Sequence, residues 1–142
     1  RHKLHLLRQM PSEAILERYA VNHDCGKHLV EVTDGEGRHF PDHANASADY
    51  WLEHYPKDTH VALLMRNDMF IHTCTAEELD TSVLSHDVLC TLLLTALAEV
   101  HANAAMFGGM DSQSFKIKWK QVNRRGSRLL RHTPLISPEG EI

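Results

Sequence analysis

Cysteine is scarce in this 142-residue chain: Cys25, Cys74 and Cys90 are the only three, and no two stand in a Cys-x-x-Cys spacing. An odd, scattered set excludes a disulfide framework and a structural zinc knot. The simple reading is a reducing compartment, the cytoplasm, with the thiols as core or half-buried groups. No stretch approaches the ~20 apolar residues that span a bilayer, and no signal peptide is visible, so no membrane role is expected. The chain opens on Arg1 rather than Met, which leaves a targeting segment ahead of it open. An excess of positive charge is also missing: the formal net charge of −4 gives no global reason to expect nucleic-acid binding. Gly108-Gly109 is isolated and forms no phosphate loop. Internal repeats and low-complexity segments are absent.

What is present is ordinary for a globular protein. The chain is 42% hydrophobic and 24% charged, and its length fits one domain with a real core. Twelve histidines are many for this length and make a metal site worth seeking. Charge is uneven, with an acidic middle and a basic stretch from Lys116 to Arg131.

Helical signals dominate. His2 to Met10 has helical character and stops at Pro11. Pro11-Ser12-Glu13 then opens a helix, with Ser12 as a cap or Pro11 in the first turn. Its stripe of Ala14, Ile15, Tyr19 and Val21 leads to His23-Asp24, and Gly26 ends or loosens it. Thr33-Asp34-Gly35-Glu36-Gly37 is a loop with turn chemistry. Asp42 to His54 reads as a helix stopped by Pro56. The apolar run Val61 to Ile71 favours helix, and Thr75 with Glu78 forms a capping box. Leu84 to Met106 is the longest helical signal and the expected central, buried helix, terminated by Gly108-Gly109. Beyond it Phe115, Ile117 and Trp119 alternate with Lys116, Lys118 and Lys120, a period of two that predicts a short strand or extended arm. Thr133 to Ile142 reads as a loosely held tail. The expectation is therefore an all-α chain: a compact helical bundle over 1–110 and a basic C-terminal arm and tail over 111–142.

The informative string is Asn22-His23-Asp24-Cys25-Gly26-Lys27. Adjacent side chains on a helix diverge by about 100°, yet an imidazole and a carboxylate can still meet on one ion. A bare His-Asp pair is common surface polarity, as His86-Asp87 illustrates. The Gly26-Lys27 sequel makes the string resemble the His-Asp-x-Gly-Lys signature of the HD superfamily of metal-dependent phosphohydrolases. Asp34-Gly35-Glu36-Gly37-Arg38-His39-Phe40, then His43-Ala44 and Ser47-Ala48, resemble the HD domain attached to bacterial tRNA nucleotidyltransferases.

The resemblance implies an HD-type bundle with a divalent metal held by His23 and Asp24, an upstream ligand from His2 or His5, and a downstream one. Glu99, in Leu97-Ala98-Glu99, takes the place where the family carries an aspartate; a salt bridge is its other reading. Asp68 is the alternative ligand, and His72 lies one turn beyond it. A mixed imidazole and carboxylate set suits Mn, Co, Ni, Fe or Zn, with Mg a poorer fit. The reaction implied is hydrolysis of a nucleotide or RNA-end phosphoester, of phosphomonoesterase or cyclic phosphodiesterase type. Asp24 would ligate and position water, and Lys27 and His43 would neutralise phosphate charge or protonate the leaving oxygen. Lys116, Lys118, Lys120, Arg124, Arg125 and Arg128 are candidate phosphate or RNA contacts, or equally a solvated edge protected by its lysines. The competing function is a degenerate HD domain that binds RNA or a partner.

Overall fold

The computed structural model describes residues 12–132, side chains through Leu129. His2, His5 and the tail over 133–142 lie outside the described residues. The chain is mainly helical, and its helices fall into two compact units, 12–69 and 70–132. No helix among the described residues is long and apolar enough to cross a membrane.

In the unit 12–69, helix α1 runs over Glu13–Asn22 with Glu13 in its first turn, where an acidic side chain suits the dipole. Ser12 precedes it without a side-chain cap bond. The chain then turns through His23 to Gly26 into a short 3-10 turn at Lys27–Val30. The turn-rich segment closes a small hairpin of β1 (Val32–Asp34) and β2 (Gly37–His39), antiparallel with Val32 opposite His39. Asp34 organises its tip: Oδ1 accepts from the Glu36 amide at 2.8 Å and lies 2.9 Å from His39 Nε2. Those two bonds hold the Asp34 carboxyl below its ordinary pKa, the backbone amide contributing most.

Helix α2 spans His43–His54. Asp42, just ahead of it, takes a left-handed conformation (φ 54°, ψ 32°) that, glycine aside, Asn and Asp tolerate best. Its Oδ1 accepts from Asn45 Nδ2 at 2.9 Å. Helix α2 buries Ser47, Ala48 and Trp51 and packs on α3 (Thr59–Arg66), which buries Val61, Ala62, Leu64 and Met65. Helix α1 also packs on α3 and supplies buried Tyr19.

The apolar run Val61 to Ile71 is not one helix. The Asn67 amide takes both the Leu63 and Leu64 carbonyls, and its Nδ2 returns to Leu63 O at 2.9 Å. Asn and Asp offer the backbone local alternatives to helix, so the chain turns at Asn67-Asp68 before resuming at Phe70.

The unit 70–132 begins with two short helices, α4 (Phe70–Thr73) and α5 (Ala76–Asp80). The capping interaction expected at Thr75 is present: its side chain accepts from the Glu78 amide and donates to Glu78 Oε1, both at 3.1 Å. Helix α6, His86–Ala102, is capped by Ser85 and buries Val88 through Leu93, Ala96, Leu97 and Val100. A helix buried around most of its girth sits between neighbours, here α4 and α7. A 3-10 turn follows at Ala104–Phe107, and Gly108 and Gly109 both adopt positive φ, a conformation glycine supplies without strain.

The predicted extended arm is instead helix α7, Gln113–His132. The alternation Phe115, Ile117, Trp119 is a five-residue fragment of a longer pattern. Buried Phe115, Val122, Gly126 and Leu129, with half-buried Trp119, recur at steps of four and three, which is the helical period. Ile117, out of that stripe, is 50% exposed. Gly126 allows α7 to approach α6 closely, since a Cβ there would stand 2.8 Å from Leu93 Cδ1.

Candidate metal centre

The His-Asp-Cys-Gly-Lys string lies in the turn after α1, and its glycine explains how it is held. A Cβ at Gly26 would stand 2.4 Å from Ala46 O and 2.6 Å from Ser47 N, both backbone atoms of α2. Only glycine permits that approach. Two hydrogen bonds then fix the turn to α2. The Gly26 amide donates to Ser47 Oγ at 3.1 Å, and the Cys25 thiol donates to Ser47 O at 3.4 Å. Ser47 is fully buried, so the Gly26 amide and a buried hydroxyl satisfy one another. Burial raises the Cys25 pKa, partly offset by its backbone hydrogen bond.

This docking brings together residues distant in sequence. Asp24 on the turn, His43 at the start of α2 and Asp68 after α3 each offer one ligand atom, and all three atoms lie within 4.8 Å of one another. His23 likewise offers a ligand atom within that distance of Asp68. Asp68 is only 7% exposed. The buried Tyr19 hydroxyl donates to its Oδ1 in a short hydrogen bond, and His43 Nε2 lies 3.9 Å from its Oδ2.

Both imidazoles are oriented from behind. His43 Nδ1 lies 3.2 Å from Phe40 O, and His23 Nδ1 lies 2.8 Å from Ala20 O. Donation from Nδ1 to a carbonyl leaves the Nε2 lone pair for the site. His23 Nε2 then faces Asp24 Oδ2 at 3.5 Å. A ring nitrogen tied to a backbone carbonyl while the other faces carboxylates is an orientation that could serve a metal ion. Lys27 closes one side, its Nζ 3.8 Å from Asp24 Oδ2 and 4.5 Å from the centre of the Phe40 ring.

Among the expected site residues, His23, Asp24, Lys27, His43 and Asp68 thus converge within one unit. His43, expected to neutralise phosphate charge or protonate the leaving oxygen, instead offers a ligand atom alongside Asp24 and Asp68. Glu99 and His72 belong to the other unit and face one another there, His72 Nε2 lying 3.2 Å from Glu99 Oε2. Tyr19 is a site residue that sequence reasoning assigned only to an apolar stripe; a hydroxyl on the face leading to the His-Asp pair was the available signal.

The basic residues divide by role along α7. Arg125 caps a helix end: Nη1 donates to Ile71 O at 3.2 Å and His72 O at 2.5 Å, and Nε to Cys74 O at 3.0 Å. Arg128 forms a two-point pair with Asp80, which raises its pKa. Lys116, Lys120 and Arg124 are exposed at successive helical steps of four, with Lys118 half-buried. No family model, curated protein or solved structure matches the chain.

Proposed function

We propose that the unit 12–69 holds a divalent metal through Asp24, His43 and Asp68, with His23 beside them, and uses it to hydrolyse phosphoesters, the chemistry that the HD resemblance implies. The observation that carries this reading is the convergence of three ligand atoms on an aspartate almost wholly withdrawn from water. Buried carboxylates are paired or bind cations, because an isolated one is costly. One or two imidazoles with two carboxylates suit Mn, Fe, Co, Ni or Zn.

A bound ion of this kind supplies Lewis acidity toward a phosphoryl oxygen and makes hydroxide available near neutral pH. The chain's own groups do the remainder. Tyr19 occupies one oxygen of Asp68 and so presents the other to the site. Phe40 O and Ala20 O fix the two rings. Lys27, steered by the Phe40 ring, brings positive charge beside Asp24, where it can offset charge on a phosphate. The substrate class proposed is a nucleotide or RNA-end phosphoester.

The test combines metal binding with turnover. Calorimetric titration with Mn or Co is compared for wild type, Asp24→Asn and Asp68→Asn. Hydrolysis of nitrophenyl mono- and diesters, 2′,3′-cyclic nucleotides and deoxynucleoside triphosphates follows. Tight binding lost in both variants, with metal-dependent turnover lost alongside it, is the expected result. A folded wild type that binds none of these ions overturns the reading. A second reading, an RNA-binding module, draws on the exposed row of Lys116, Lys120 and Arg124 on α7. It predicts RNA affinity that falls steeply with salt and needs no metal.

A further inference from the structure

A cleft of about 850 Å³ opens in the unit 12–69 at the junction of α2 and α3, lined among others by Arg18, Trp51, Tyr55, Lys57 and Asp58. That volume is in the range of small-molecule sites, and the metal-centre reading makes no use of these residues. Trp51 forms the floor, 7% exposed, and the Tyr55 ring lies over it at 4.4 Å between centroids and 35°. Tyr55 itself is 54% exposed, so an exposed aromatic residue stands on a buried support. Asp58 pins the arrangement: its Oδ2 accepts from Trp51 Nε1 at 3.1 Å and from Arg18 Nη1 at 3.3 Å.

Charge selects the ligand. Two cations, Arg18 and Lys57, face one carboxylate, and Asp58 is already engaged by Arg18 and the indole. The rim therefore keeps net positive charge beside an exposed ring. A cationic ligand is repelled there, and a purely apolar one leaves the cations unanswered. We infer that this cleft binds a small planar aromatic anion, its ring against Tyr55 and its anionic group on Lys57 and the free donors of Arg18. Nucleoside monophosphates and aromatic carboxylates share that chemistry. The inference does not rest on the metal centre.

The test uses the full chain in EDTA, which removes any contribution from bound metal, with Trp119→Phe so that indole emission reports on Trp51. Adenosine monophosphate and naphthoate are titrated by calorimetry and by Trp51 emission, beside adenosine and inorganic phosphate. Binding of either anion is expected, weakened about tenfold or more by Tyr55→Ala through lost stacking, and about tenfold by Lys57→Ala through a lost charge-assisted bond. Response to the nucleotide alone identifies a nucleoside phosphate as the source; response to naphthoate alone identifies an aromatic carboxylate. No heat and no emission change with either anion at millimolar concentration overturns the inference. So does binding that both variants leave unchanged, or adenosine binding as tightly as its monophosphate. Lys57 is exposed, so Lys57→Ala decides the question even if Tyr55→Ala misfolds.

Discussion

Replacing Gly26 by alanine adds one methyl group where the Ala46 carbonyl oxygen would stand 2.4 Å away, its carbon 2.5 Å and the Ser47 nitrogen 2.6 Å. All three atoms belong to the backbone of α2, so no rotamer change relieves the overlap. The Gly26 backbone (φ −99°, ψ 1°) is accessible to alanine, and the substitution removes unfolded-chain entropy, which favours the variant by ~0.4–1 kcal/mol. Against that stand overpacking at ~1–3 kcal/mol and loss of the Gly26 to Ser47 hydrogen bond at about 1 kcal/mol. The balance is a destabilisation of about 1–3.6 kcal/mol. Urea unfolding followed by circular dichroism measures it, with Gly35→Ala as comparator, because a Cβ there meets nothing within 4 Å. That variant should match wild type or gain slightly. Displacing the turn also shifts Asp24, two residues away, so Co affinity should fall by about tenfold or more in Gly26→Ala, as metal sites respond to altered support. A Gly26→Ala protein as stable as wild type, with undiminished metal affinity, would refute both the docking of the turn and the convergence built on it.

Tyr19→Phe deletes the hydroxyl that holds Asp68 and leaves that buried carboxylate short of a donor. A loss of ~1–3 kcal/mol in unfolding free energy is expected, with metal affinity reduced about 10–100-fold; unchanged values in both assays would remove Tyr19 from the site. The thiols should react in order of burial, half-buried Cys25 before buried Cys74 and Cys90, as thiol titration with and without denaturant can show. Burial, with a smaller push from Asp87, raises the Cys90 pKa from an ordinary 9.0 to about 11. The native protein therefore keeps a proton that the unfolded chain releases. Its contribution to stability is complete below about pH 9 and is lost as pH rises toward 11, at most ~3 kcal/mol; Cys90→Ala should flatten that alkaline slope. Arg125→Ala frees three carbonyls near the end of α4 and should cost about 3 kcal/mol, detectable in urea unfolding, whereas Lys116→Ala on the same helix should stay within ~0.5 kcal/mol.

What the residues reveal in isolation is local chemistry. Thr75 three before Glu78 and the turn residues from Asp34 to Gly37 were legible because caps and turns depend on a few neighbouring atoms; the helix expected to run from Leu84 to Met106 instead ends at Ala102, with a 3-10 turn before the glycine pair. The strand reading of Lys116 to Lys120 failed because five residues cannot separate a period of two from one of 3.6; extending the window to Leu129 resolves it. Asn67-Asp68 broke an apolar run because side-chain amide bonding outweighed hydrophobic pattern. The candidate site was half legible. His23, Asp24 and Lys27 are contiguous, but placing His43 and Asp68 beside them depends on how α1, α2 and α3 pack, which no spacing encodes. Gly26 was visible as a helix terminator; its larger role, allowing contact with Ala46 and Ser47, belongs to tertiary structure.

The bond from the Gly26 amide to Ser47 Oγ also makes that amide a gauge. Its proton can exchange with solvent only when the turn lifts from α2, so its exchange rate measures the opening equilibrium of the segment that carries Asp24. Any solute that must touch both Asp24 and His43 draws on the closed form alone. At a concentration a hundredfold above its Kd, such a solute should slow exchange about a hundredfold. One backbone proton then ranks the metal ions and phosphoesters offered to this turn without an activity assay.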